Sequence, residues 1–92
     1  MSQSLRFEIQ TVQTIRGRGL MVYGLMHAGE AQVGDEIELR GSDGHLYQGT
    51  VRSVESFLTP GISRPYPHRV GLGINGSAAE HLAIGLSITS RS

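Results

Sequence analysis

The chain contains no cysteine, so neither a disulfide nor a thiolate metal site braces it, and stability must come from an apolar core. It contains no lysine either: all eight basic residues are arginines. That absence excludes Schiff-base catalysis, which needs a primary amine, and the phosphate loop of nucleotide hydrolases, which needs a lysine on the nucleotide phosphates. Tryptophan is missing, and charged residues make up only 17% of the chain, against ~25% in an average domain. A surface so thinly charged favours cover by a partner. Eight acidic residues balance the arginines to a net charge of zero, so attraction to nucleic acid would have to come from a local patch. No apolar run approaches the ~20 residues needed to span a bilayer, and the first residues, "MSQSLRFEIQ", lack the cationic-then-apolar order of a secretory signal. The expectation is a cytoplasmic protein with no membrane association.

What is present is a period of two. In "LRFEIQ" Leu5, Phe7 and Ile9 alternate with Arg6, Glu8 and Gln10, and in "DEIELR" Ile37 and Leu39 alternate with Glu36, Glu38 and Arg40; both read as half-buried strands. The parity breaks after Ile9, which predicts a bulge near Gln10 and Thr11. "LMVYGLM" is apolar on both parities, as a central strand is, with Gly24 marking a close approach of another backbone or a sharp bend. Asp43-Gly44 is a hairpin signal. "LYQGTVRSVESF" reads as extended through Phe57 with a second bulge at Gly49, and "LTPGISRPYPH" as a loop with a turn at Pro60-Gly61. "RVGLGIN" alternates again, "GSAAEHLAIG" has room for one helical turn, "LSIT" is a last strand, and Ser90 to Ser92 are expected to fray.

Six short strands without a long helical pattern predict an all-β fold, a small six-stranded barrel or a sandwich, as a single domain over residues 1–92 with its structured part from about 5 to 89. The predicted core is Phe7, Ile9, Val12, Val22, Ile37, Leu39, Val51, Val54, Val70, Leu72, Ile74 and Ile88.

Chemistry is sparse. "GRG" at 17–19 is not a phosphate cradle, because such a loop opens a helix whose N-terminal amides face the anion, whereas here a strand follows. Gly17 and Gly19 instead suit a tight reversal with Arg18 at its tip. His27, His45, His68 and His81 have no short metal spacing. Ser77 stands in no nucleophile elbow. No catalytic residue, metal or cofactor is expected.

The run from Phe7 to Leu39 resembles the domain II barrel of translational GTPases, elongation factor Tu above all. The matching positions are Ile15, Gly17, Arg18, Gly19, Val22, Gly24, Gly29, Val33, Gly34 and Asp35, followed by Val70, Gly71, Leu72, Ile74, Gly76 and Gly85. The resemblance implies a closed six-stranded barrel, with Gly17, Gly19 and Gly34 as structural turn residues. It also implies a ribosome-facing rim that includes the Gly-Arg-Gly turn. The acidic pair of that family's acceptor-end pocket falls at Gln10 and Thr11 here, and a threonine of its second strand falls at Tyr23, which argues against aminoacyl-adenosine as a ligand. Without lysine the chain has neither a P-loop nor an Asn-Lys-x-Asp motif, so it is not expected to bind GTP.

Two binding readings follow. A protein-docking module would use the less charged surface around Tyr23, Tyr66 and His68, the last two set in the proline frame "SRPYPHR"; an RNA- or ribosome-binding barrel would use Arg16, Arg18 and Arg69. Self-association is open under either.

Overall fold

The computed structural model describes residues 4–56 and 65–91. Six strands, β1 (Arg6–Ile15), β2 (Gly19–Ala28), β3 (Glu36–Arg40), β4 (Leu46–Ser56), β5 (His68–Asn75) and β6 (Ser87–Ser90), close in the order β1-β2-β5-β4-β3-β6. Every pairing is antiparallel. A 3₁₀ turn, Ser77–Glu80, is the helical turn expected in "GSAAEH".

Alternation builds this barrel. Phe7 and Ile9 of β1, Ile37 and Leu39 of β3, and Leu72 of β5 are completely buried, while Glu8 and Glu38 between them are half-buried and Arg6, Glu36 and Arg40 beside them face out. The bulge expected near Gln10 is there: Ile9 pairs with Gly24 and Thr11 with Tyr23, leaving Gln10 as the extra residue. Gly24 is glycine because β1 folds onto it at that bulge. A Cβ there would overlap the Glu8 carbonyl oxygen and lie 3.0 Å from the Gln10 nitrogen.

The second bulge lies elsewhere than expected. Gly49 sits in regular register opposite Ile37, and the β4–β5 ladder slips between Val51 and Ser53, which makes Arg52 the extra residue. Gly49 answers a packing need, since a Cβ there would lie 2.6 Å from the Asn75 carbonyl oxygen and 3.1 Å from Ala78 Cβ. The shifted bulge also corrects the core. Beyond Arg52, Val54 is 37% exposed and lines an outer groove beside Arg18 and Met21. Val12 is half-buried against the core, and Leu5, Met26 and Ala78 join it.

Gly34 adopts the expected turn conformation, φ 98°, and the β3–β4 hairpin turns at Asp43-Gly44, with the Gly44 N–H donating to the Gly41 carbonyl at 3.0 Å. Ser90 is not frayed: it ends β6, its N–H donates to the Leu5 carbonyl at 3.3 Å, and the Arg91 N–H donates to the Glu36 carbonyl at 3.1 Å. Phe57, the Pro60-Gly61 turn and Ser92 lie outside the described residues.

Candidate functional site

The turn between β1 and β2 is closed by the Arg18 N–H donating to the Ile15 carbonyl at 2.9 Å. Arg16 and Gly17 are its central residues, and φ of 85° at Gly17 is what the third position of a type II turn requires. Arg16 is exposed at the tip. Arg18 is not left pointing outward. Its Nη1 lies 3.0 Å from Glu55 Oε2, a carboxylate 37 positions away on β4. Both side chains are substantially exposed, and such pairs contribute only ~0–1 kcal/mol. Arg18→Ala is therefore expected to change the free energy of unfolding by less than about 1 kcal/mol in urea titration.

Glu55 also accepts a hydrogen bond from the Tyr23 hydroxyl at 3.2 Å. Burial, and then the adjacent Glu55 carboxylate, hold that phenol above the usual tyrosine range, with Arg18 acting in the opposite sense. Tyr23 lies across β5 because β5 offers no side chain there: a Cβ on Gly71 would stand 2.6 Å from Tyr23 Cε1. Gly73 repeats the arrangement. Arg52 crosses it from the β4 bulge, and a Cβ on Gly73 would stand 2.8 Å from Arg52 Nη2. That nitrogen donates to the Arg18 carbonyl at 2.6 Å and the Leu20 carbonyl at 3.0 Å, while Nη1 donates to Asn75 Oδ1 at 3.2 Å. Beneath the guanidinium Met21 is 2% exposed, although it stands apart from the interior cluster. Arg52 and Glu55 were not legible as site residues, because their partners are distant in sequence; the one local signal was the small-residue alternation in "GLG".

On the other side of Tyr23, a shallow pocket of about 230 Å³ opens over the β1 bulge. Gln10, Thr11, Gln13, Tyr23, Gly24, Arg69 and Val70 line it. Two amides, the Thr11 hydroxyl and one guanidinium line it beside the Tyr23 ring, and Arg69 is exposed and makes no ion pair among the described residues. The set suits hydrogen bonding to a ligand; no carboxylate, imidazole or thiol in it supplies a nucleophile or base. No group of three or more histidine or acidic side chains suited to a metal ion occurs among the described residues.

The expected docking residues separate. Arg18 and Tyr23 meet at Glu55, and Tyr23 shares a pocket with Arg69, whereas Tyr66 reaches past the end of β2 to Gly29 and His68, paired with Met26 next to the Leu25–Arg69 pair, turns inward. At ~3.3 Å per residue, Met26 is only ~10 Å along β2 from Tyr23, so burial rather than distance removes His68 from that face. Tyr66 is 45% exposed and its hydroxyl donates to the Gly29 carbonyl at 3.0 Å. His68 is not a surface residue: it is 7% exposed, 3.3 Å through Nδ1 from the Pro65 carbonyl oxygen, with its ring tilted against Tyr66. The alternation that turns Arg69 outward turns His68 inward.

No protein-family model and no curated protein matches this chain. No helix among the described residues is long and apolar enough to cross a membrane.

Proposed function

We propose that the barrel is a non-catalytic binding module of the translation-factor domain II kind, and that it docks on a protein partner through the outer face around Tyr23 and Arg69. The observation that carries this reading is the pocket over the β1 bulge, where an aromatic and an arginine with no ion pair among the described residues stand beside uncharged hydrogen-bonding side chains. Tyrosine and arginine are the residue types on which interface energy concentrates. Gln10, Thr11 and Tyr23, the three positions that differ from the acceptor-end pocket of elongation factor Tu, all line this one pocket. Such a substituted pocket supports a protein ligand over an aminoacylated RNA end. Arg18, the residue on which rim contact with RNA would turn, has its charge engaged by Glu55, which weakens the competing reading.

The test is capture of partners from the source cell's lysate on the immobilised protein, with and without nuclease and across a salt series. Capture that survives nuclease and falls only mildly with salt, and that drops at least tenfold with Arg69→Glu, is the expected result. Loss on nuclease treatment with a steep salt slope would transfer the assignment to RNA, because each phosphate contact adds about one unit to the slope of log affinity against log salt. Capture unchanged by Arg69→Glu, in a variant whose circular dichroism matches the parent, would remove this face from the interface.

A further inference from the structure

The two outer edges of the β1–β2 hairpin are finished differently. On the β2 side, Arg52 closes the edge by donating to the Arg18 and Leu20 carbonyls. On the β1 side, β6 pairs only with Arg6, Phe7 and Glu8, and the approach to β6 adds two bonds at Ile9, whose N–H donates to the Leu86 carbonyl and whose carbonyl accepts from the Gly85 N–H, both at 2.9 Å. Past the bulge at Gln10, no strand other than β2 pairs with β1 among the described residues.

The direction of the free groups follows from the ladder. The Leu20 carbonyl points away from β1, because Arg52 holds it. Leu20 pairs with Thr14, so this is a non-hydrogen-bonded pair of the antiparallel ladder, and Thr14 turns its own N–H and C=O to the far side. Val12, two residues earlier, does the same. Residues 10–15 read "QTVQTI": Thr11, Val12, Thr14 and Ile15 are β-branched, and the stretch holds no charge, proline or glycine. Exposed strand edges are ordinarily blunted by charge, proline or cover. This one carries no charge or proline and has no covering strand among the described residues, and its composition favours extension.

We propose that this edge pairs antiparallel with the same edge of a second copy of the chain, the Val12 of each copy opposite the Thr14 of the other and Gln13 opposite itself. A second copy fits because the edge is uncharged, so self-pairing sets no like charges against each other. Antiparallel order also brings the tip carrying Arg16 and Arg18 of each copy toward the Glu8 end of the other. The proposal rests on the backbone edge of β1 rather than on Tyr23 and Arg69, although Gln13 at its centre also lines the pocket beside them. The main-chain bonds are few, about four, and the contact falls well below the ~1,200 Å² of a standard interface, so dissociation belongs at ~0.1–1 mM.

Sedimentation equilibrium of the full chain from about 10 μM to about 1 mM, with amide hydrogen exchange read by NMR at both ends of that range, tests it. The expected result is a dimer at the upper end, with the Val12 and Thr14 amides gaining protection as concentration rises. Gln13→Glu, which sets two carboxylates against each other at the two-fold, is expected to raise the dissociation constant at least tenfold, and Thr14→Pro, which removes a donor from the open edge, to do the same. A chain still monomeric at about 1 mM would overturn the proposal. So would a dimer that leaves those two amides unprotected, or one that Gln13→Glu does not weaken. Gln13 is exposed, so Gln13→Glu remains decisive even where Thr14→Pro impairs folding.

Discussion

Gly24→Ala is expected to cost the barrel more than about 3 kcal/mol, beyond the ~1–3 kcal/mol usual for an added methyl group in a packed interior. The added carbon would overlap the Glu8 carbonyl oxygen and crowd the Gln10 nitrogen. These are backbone atoms at a bulge that sets the β1–β2 register, so relief requires opening the ladder rather than swinging a side chain. Gly17→Ala separates the steric cause from glycine loss in general. Gly17 has φ of 85° and nothing within 4 Å of its virtual Cβ, so that change costs only the ~1 kcal/mol of placing alanine in the left-handed region. Urea titration of both variants gives the comparison, and equal midpoints would mean that β1 does not press on Gly24.

Ile37→Ala is expected to cost roughly 2–5 kcal/mol. A domain of this length has about 5–14 kcal/mol to lose. Ile37 is fully buried on the shortest strand but one, where it pairs with Gly49 on one side and Ser90 on the other. Gly49 contributes no side chain to fill the space, and the backbone on both sides is held by ladders, so the cavity has little means of collapse. Val54→Ala, at a position 37% exposed, is expected to cost under about 1 kcal/mol by the same assay.

The fold was legible where a single period rules a segment. In β1 and β3 polar and apolar residues alternate cleanly, and the bulge at Gln10 showed as a parity break. It was misread in β4, because Gly49 offers a familiar bulge residue while the actual bulge residue, Arg52, is earned by tertiary bonds to Arg18, Leu20 and Asn75. Val54 went wrong with it. The Gly-Arg-Gly turn was readable from glycine geometry, but the partner of Arg18 was not, since Glu55 reaches it only once β4 and β2 flank β5. Tyr66 and His68 looked like companions of Tyr23 on one surface; alternation turns His68 inward, and the Tyr66 hydroxyl is tied to the Gly29 carbonyl beyond the end of β2. The pocket under Arg69 depends on β1, β2 and β5 meeting, and no local pattern announces such a meeting.

The exterior of β5 between Arg69 and Asn75 is upholstered by its neighbours. Tyr23 from β2 and Arg52 from β4 cover Gly71 and Gly73, so the chemistry a visitor meets above this strand is encoded at positions 23 and 52. For an engineer, that makes two substitutions on flanking strands enough to resurface a third strand whose backbone bonds and inward side chains stay as they are. The converse holds as well: enlarging either glycine would evict its cover, and eviction at Gly73 would release the guanidinium that ties the tip of the β1–β2 hairpin to the wall of the barrel.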